Sequence, residues 1–136
     1  MPLVSRKGIL AIAAVIDVAI HSHGRPVSAK ALESRHKLPP RHLEPVLQAL
    51  VSDGILKGVR GPHGGYELAR ERKRITAEDI LRAAGSAEDE GEPPVPASAL
   101  VTEVVRPALA EAERMFSVAL GRINIEDMAK QAQPLK

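Results

Sequence analysis

The first residues of one predicted helix carry side chains of the kinds that contact base-pair edges. Arg41 can donate two hydrogen bonds to guanine, Glu44 can accept one from cytosine, and Gln48, one turn further on, can pair with adenine. On an isolated helix they would more often be solvated residues of an outer face, so the surrounding elements must decide between the two interpretations. The candidate base contacts are Pro39, Pro40, Arg41, His42, Glu44 and Gln48.

A glycine-rich turn between two short strand-like runs offers a second group of candidate contacts. Arg60 and His63 stand there among small residues. A narrow loop that carries arginine can enter a minor groove or hold phosphates. For the paired glycines alone, a plain tight turn is the better interpretation, because no Lys-Ser/Thr pair follows them. The candidates in this turn are Arg60, Pro62, His63, Gly64 and Gly65.

Basic and polar residues elsewhere add candidate contacts to a phosphate backbone. Lys7 and Ser28 stand near the starts of the first and second predicted helices, and Arg6 and Lys30 are close to them in sequence. A basic run follows the glycine-rich turn, and it either touches phosphates or is a solvated charged loop. It consists of Arg70, Arg72, Lys73 and Arg74.

No arrangement of residues supports catalysis or a metal centre. The chain lacks a nucleophile elbow, a phosphate-binding glycine loop that opens a helix, and a His-Glu-x-x-His motif. It contains no cysteine, so it cannot form disulfides, thiolate metal sites or cysteine-ligated iron–sulfur clusters. Its five histidines do not cluster at ligand spacing. We therefore expect no enzyme, no metal and no cofactor.

Charge is distributed unevenly along the 136 residues. Residues 1–74 hold 13 Lys and Arg against 6 Asp and Glu, a surplus of +7, whereas residues 75–136 hold 6 against 11, a deficit of −5. A basic front half suggests a polyanionic partner, with scattered solvated charge as the alternative. Tyr66 and Phe116 are the only aromatic residues. Binders of single strands usually stack bases on aromatic rings, so duplex DNA is the better candidate.

Membrane-spanning runs and an N-terminal signal peptide are the sequence features that bear on location. No apolar run approaches the ~20 residues that span a bilayer. The segment before Arg6 is too short and too weakly apolar for a signal peptide. We therefore expect a cytoplasmic protein with no membrane partner.

The order of predicted elements in residues 1–84 favours a winged helix-turn-helix domain. Apolar residues at helical spacing predict a first helix to about His21, and Ser28 predicts the cap of a second over 29–36. Pro39 and Pro40 can only begin a helix, which predicts a third helix to about Ser52. A hairpin of 55–60 and 66–69 follows. Then comes a helix over about 77–84, opened by a Thr76–Asp79 capping box.

The remaining residues are predicted to form a linker and a dimerisation region. Residues 85–97 are acidic and proline-rich with little to bury, and residues 98–132 contain a long helix, in which Pro107 should cause a kink, and a short final helix. Apolar positions spaced by four and three residues give the long helix a heptad seam. Packing of this helix on its own domain is the alternative. The predicted interface residues are Val101, Val105, Ala108, Ala112, Met115, Phe116 and Ala119.

Three segments together resemble the Rrf-two-type (IscR/NsrR/CymR-like) family of bacterial winged helix-turn-helix transcription regulators. They are the helix start at 38–47, the wing at 59–69 with its Arg-Gly-Pro-x-Gly-Gly-Tyr sequence, and the capped helix start at 75–80. The resemblance implies a mainly α fold with a small β-hairpin wing and a long C-terminal dimerisation helix. It also implies a homodimer that binds palindromic double-stranded DNA, usually as a repressor, through the candidate residues of the third helix and wing.

The chain departs from the family pattern where many members hold an iron–sulfur cluster. The three cysteines of those members fall in the loop before the dimerisation helix, which here is acidic and proline-rich. Glu103 aligns approximately with the family's further ligand, a histidine, and Arg106 replaces a nearby tryptophan. The chain thus resembles the cluster-free branch, some of whose members answer to a small-molecule or protein effector. The alternative function is a winged-helix protein-interaction module that has lost DNA binding.

Overall fold

The computed structural model describes residues 5–22, 24–37, 40–85 and 98–133, and for residues 40–42 it describes the backbone alone. Within these ranges the fold is mainly helical with a small antiparallel hairpin, as predicted. Residues 1–4, residues 86–97 of the predicted linker and the last three residues lie outside the described part, whereas Gly85 ends α4. The elements are α1 (Arg6–His21), α2 (Ala29–His36), α3 (Pro40–Ser52), β1 (Leu56–Val59), β2 (Gly65–Leu68), α4 (Ala77–Gly85), α5 (Arg106–Leu120) and α6 (Ile125–Ala132).

A single apolar core joins α1, α3, α4 and α6. Val15 and Val18 of α1, Leu47 of α3 and Ile80 of α4 are all fully buried there. The C-terminal α6 also enters this core, since Ile125 is fully buried and α6 packs against α1. Residues 125–132 thus share a core with the helix-turn-helix elements, although they follow the long helix in sequence.

Backbone pairing fixes the position of α6. The amide of Ala77 donates to the carbonyl of Ile123 at 2.8 Å, and the amide of Ile125 donates to the carbonyl of Ile75 at 2.9 Å. These bonds form an isolated bridge between Thr76 and Asn124, the residues that cap α4 and α6. The chain therefore returns to the core directly after the long helix ends.

The helix-turn-helix follows from its capping residues. Ser28 accepts a hydrogen bond from the amide of Ala31 at 3.0 Å and so begins α2. Lys37 ends α2 in the left-handed conformation, with φ of 53°. Pro40 is the first residue of α3, where the missing proline N–H costs no helical hydrogen bond.

The hairpin pairs Leu56 with Leu68 and Val59 with Gly65. A further bridge joins Tyr66 of β2 to Val27, which lies just before α2, through bonds of 2.8 and 2.9 Å. The wing is therefore tied to the start of α2 by backbone hydrogen bonds as well as by packing.

The long helix contains a π-helical turn at Val101–Val105 before α5. The amide of Arg106 donates to the carbonyl of Val101, five residues back, rather than to the usual fourth. Pro107 has no N–H and cannot join the regular ladder, so a local widening of the turn accommodates it. The sequence predicted a kink at Pro107, and the structure has a π-helical turn directly before it.

Candidate nucleic-acid interface

Helix α3 separates into a buried face and an exposed face. Leu43 and Leu47 are 1% and 0% exposed and point into the core. Glu44 and Gln48, four residues apart, are both exposed on the same side of the helix. Pro40, Arg41 and His42 belong to the first turn by their backbone, and their side chains lie outside the described part, as does Pro39. Two of the six candidate base contacts are thus placed on a solvent-facing surface.

The wing presents its candidate side chains to solvent. Arg60, Pro62 and His63 are exposed at the tip of the hairpin. Gly64 and Gly65 have a structural reason to be glycine. A Cβ at Gly64 would collide with the carbonyl oxygen of Val59, and one at Gly65 would collide with the backbone of Val27 and Ser28. Gly64 thus permits the tight turn at the tip of the wing, and Gly65 permits the close approach of the wing to the chain that begins α2.

The candidate contacts near the helix starts have different surroundings. The hydroxyl oxygen of Ser28 caps α2, and its hydrogen can still be donated to a phosphate oxygen. Lys7 lies half-buried in the first turn of α1. Both lie within a turn of a helix N-terminus, where backbone N–H groups favour anions.

Two members of the basic run have internal roles that the sequence did not indicate. Arg70 donates to the carbonyls of Gly54 and Asp53 at 3.2 Å each, and its guanidinium lies 3.4 Å from the carboxylate of Asp79. It therefore satisfies carbonyl groups just after α3 and links them to α4. Arg72 donates to the carbonyl of Ala19 in the last turn of α1.

The last two residues of the basic run lie at the surface. Lys73 and Arg74 are exposed, and Arg74 lies 3.9 Å from the carboxylate of Glu71. A pair this open to solvent stabilises little. Lys73 and Arg74 are accordingly the members of the run best placed to meet a phosphate backbone.

A buried carboxylate next to the helix-turn-helix is the main feature that sequence reasoning missed. Asp17 of α1 is 5% exposed and accepts hydrogen bonds from Arg35 and His36 at the end of α2, with His21 also close to it. Burial alone would raise the pKa of this carboxyl group, but these hydrogen bonds and the positive charges of Arg35 and His21 hold its pKa below the ordinary value. The one hint in the sequence is an aspartate inside an apolar helix.

The predicted interface helix exposes much of its apolar surface. Met115 and Val105 of the predicted seam are 63% and 40% exposed, and Val104 and Leu109 beside it are 57% and 52% exposed. Val101 and Phe116 are half-buried, while Ala108, Ala112 and Ala119 are exposed. The described part of the chain leaves this surface without a packing partner. Large exposed apolar surfaces are typical of interaction sites.

The donor set does not fit an iron–sulfur cluster. The chain has no cysteine to supply thiolate ligands. Among the residues that the structure describes, no group of three or more His, Asp or Glu side chains is placed to hold a metal ion. In the same residues, no helix is both long enough and apolar enough to cross a bilayer.

Comparison with protein families gives one match that covers most of the chain. The model of the Rrf2 family, described as "Iron-dependent Transcriptional regulator", matches residues 4–131. Among curated proteins, the HTH-type transcriptional regulator IscR of Xenorhabdus nematophila is 35% identical over 83 residues, which is 61% of this chain and 51% of that protein. The chain spans about half the length of the curated relatives it matches.

Solved structures match over nearly the whole chain. The IscR of T. potens superposes with a TM-score of 0.73 at 33% identity, covering 96% of this chain and 88% of that one. CymR of B. subtilis, described as a global cysteine regulator, superposes with a TM-score of 0.70 at 25% identity, covering 96% and 98%. The winged-helix architecture predicted from the sequence is confirmed by these similarities.

Proposed function

Because the chain belongs to the Rrf2 family of transcriptional regulators, we propose that it binds double-stranded DNA sequence-specifically as a homodimer and represses transcription at palindromic sites. Members of this family are not enzymes. In our proposal the protein acts in the cytoplasm and uses no iron–sulfur cluster, since it has no cysteine to hold one. Its signal is a small-molecule or protein effector.

The observation that carries the proposal is the arrangement of α3. Its buried leucines anchor one face, which leaves Glu44 and Gln48 on the exposed face that follows the candidate first turn. The N-terminal residues of such a helix meet base edges when it enters a major groove. Arg41 belongs to that first turn and is the residue we assign to guanine. The exposed Arg60 and His63 of the wing are assigned to the flanking groove or phosphates.

The exposed apolar face of α5 supports the homodimer. A monomer that left Met115, Leu109 and Val104 more than half exposed would present an unusual apolar surface to water. A second copy of the same helix would cover the heptad seam. Two-fold pairing of two helix-turn-helix units is what matches the symmetry of a palindromic site.

The test is selection of bound duplexes from a random pool at two salt concentrations. A two-fold-symmetric motif, with affinity that falls steeply as salt rises, is the expected result, because each neutralised phosphate releases counterions. The Arg41→Ala variant should then lose discrimination at one base pair of each half-site, by about 1–3 kcal/mol. An unchanged preference would remove that role from Arg41.

The opposite outcome has two forms. Absence of an enriched motif with the purified protein, followed by a motif when cell extract is added, would mean that an effector is required. Absence of a motif in both cases would reject DNA binding and favour a winged-helix module that binds protein.

A further inference from the structure

A cavity lies between α2, α3 and the wing strand β2. Its volume is about 270 Å³. Leu43 and Leu47 of α3 are buried side chains that form an apolar wall together with Ala29 of α2. The remaining lining residues are Glu33, Glu44 and Tyr66. The cavity thus combines an apolar wall and an aromatic ring with two carboxylates.

Among the described residues, no cationic side chain pairs with either carboxylate of the cavity. The basic front half of the chain has six acidic residues, and among the described residues Asp17, Glu67 and Glu71 each have a basic side chain within 4.0 Å. Glu33 and Glu44 form no ion pair or hydrogen bond through their side chains in the same set, and both line the cavity. Among the side chains that the structure describes, none neutralises the negative charge that Glu33 and Glu44 bring to this concave site.

Tyr66 is half-buried and lies close enough to Glu44 to feel its charge. Burial, together with the charge of Glu44, raises the pKa of the Tyr66 hydroxyl group. The ring is half-buried and forms part of the cavity lining. An aromatic face beside carboxylates attracts organic cations, through the ring quadrupole as well as through charge.

We propose that this cavity binds a small organic cation, namely a primary amine or guanidinium group with a short apolar body. The cationic head would lie between the carboxylates of Glu33 and Glu44, and the apolar body would contact Tyr66 and the leucine wall. The volume is just below the ~300–1,000 Å³ of sites for drug-sized ligands, so only a small compound fits. A hydrated divalent ion would gain nothing from the apolar wall, and an anion would be repelled.

Because of its position, the cavity can couple binding of the cation to DNA contact. Its walls include α3 and β2, the helix and the wing to which the proposed function assigns DNA contact. An occupant would contact both elements and would reduce the negative charge beside them. Binding of the cation itself does not depend on the proposed function, because it is measured on the free protein.

The test is a titration of the full chain with isopentylamine. The chemical shifts of the Leu43 and Leu47 methyl groups and of the Tyr66 ring, measured by NMR, report binding. We expect saturable shifts with a dissociation constant of about 1 mM or less. Isopentanol, which has nearly the same shape without the charge, and magnesium chloride, which has the charge without the apolar body, should each bind at least about tenfold more weakly.

Variants distinguish binding in the cavity from a general attraction between the cation and the acidic residues of the protein. The double variant Glu33→Gln, Glu44→Gln should weaken binding of isopentylamine by at least about tenfold, a difference of one logarithmic unit in the dissociation constant. Glu67→Gln is the matched control, because Glu67 follows Tyr66 on the same strand but pairs with Lys57 outside the cavity. Absence of saturation would overturn the proposal. Equal binding by the double variant, by isopentanol or by magnesium ions would overturn it as well. Failure of DNA binding in the duplex selection would leave this result unaffected.

Discussion

Arg35 and Asp17 form a two-pronged ion pair that joins the end of α2 to the middle of α1. The guanidinium Nε donates to Oδ2 at 2.8 Å, and Nη2 donates to Oδ1 at 2.6 Å. The Asp17 side chain is 4% exposed, whereas that of Arg35 is 38% exposed. Arg35 lies in the last turn of α2, and α3 begins five residues later at Pro40, so this pair fixes the helix end that precedes α3.

Removal of Arg35 should destabilise the fold. Arg35→Ala leaves the buried carboxylate with only His36 and His21, and we expect a loss of roughly 2–3 kcal/mol in the free energy of unfolding, less than for a fully buried pair. Urea unfolding measures it. The control is Arg114→Ala, because Arg114 and its partner Glu111 are both highly exposed. The expected change in the free energy of unfolding is within about 0.5 kcal/mol. Equal effects of the two substitutions would show that the buried pair contributes no more than a surface pair.

Stability should fall in acid because of the same carboxylate. The folded-state pKa of Asp17 lies below its ordinary value of 3.8, so the folded state binds the proton less well than the unfolded state. The stabilisation is therefore complete above the ordinary value and is lost as pH falls through the folded-state pKa. Arg35, His36 and His21 are the groups that face it. In urea unfolding between pH 5 and pH 2, Asp17→Asn should be less stable at the upper end and show a shallower pH dependence. A slope equal to that of the natural chain would contradict this account.

Close packing of the wing against α2 should make Gly65 sensitive to a single methyl group. Gly65→Ala places a Cβ against the backbone of Val27, so the bridge between Val27 and Tyr66 must move, at a cost of about 1–3 kcal/mol. Gly58→Ala, in the partner strand, is the matched control because nothing lies within 4 Å of its added Cβ. Thermal unfolding of the two variants is the measurement. A similar melting temperature for both would mean that the wing base adapts freely.

Arg70 should contribute to the stability of the fold and not to the electrostatic attraction of DNA. Arg70→Gln removes the donors to the carbonyls of Asp53 and Gly54 and should cost about 1–2 kcal/mol in unfolding free energy. The slope of log affinity against log salt for the selected duplex should stay the same, because its charge is used inside the protein. A slope that falls by about 0.9 would show a phosphate contact instead. Lys73→Gln is the comparison, since Lys73 is exposed and its loss should leave unfolding unchanged.

Local signals in the sequence predicted most of the elements. Ser28 and the Thr76–Asp79 pair form the caps that their residue types indicate, with bonds of 3.0–3.1 Å. These interactions join residues three apart, so the local sequence determines them. The third helix and the hairpin were predicted for the same reason, from proline and glycine positions.

Interactions between distant residues could not be predicted in this way. Asp17 meets Arg35 across 18 residues, and Arg72 meets Ala19 across 53, so each pairing depends on how the helices pack. From the sequence the basic run was either a phosphate contact or a solvated charged loop, although Arg70 and Arg72 donate to carbonyls just after α3 and in the last turn of α1. The cavity beside Tyr66 likewise arises only when α2, α3 and β2 come together. The sequence shows which charged residues are present, and the packing of the helices determines which of them form internal pairs.

The heptad seam of α5 makes the sharpest prediction about assembly. Ala112 belongs to the seam, and Ala110 lies about 200° around the helix from it at 100° per residue. Both are exposed alanines, so the same substitution can be compared at two sites of nearly identical chemistry. Ala112→Glu would bring two carboxylates together across a two-fold interface and should weaken the dimer at least about tenfold, the effect of about 1.4 kcal/mol.

The same substitution at Ala110 should leave the dimer intact. Sedimentation equilibrium gives both dissociation constants, and circular dichroism verifies that each variant keeps its helices. Dimers of equal strength would place the interface elsewhere on the molecule. If Ala112→Glu alone gives monomers, those monomers should also bind the selected duplex weakly, because both half-sites of a palindrome must be engaged together. Monomers that bind as tightly as the natural chain would separate assembly from recognition and reject the dimeric mode of DNA binding.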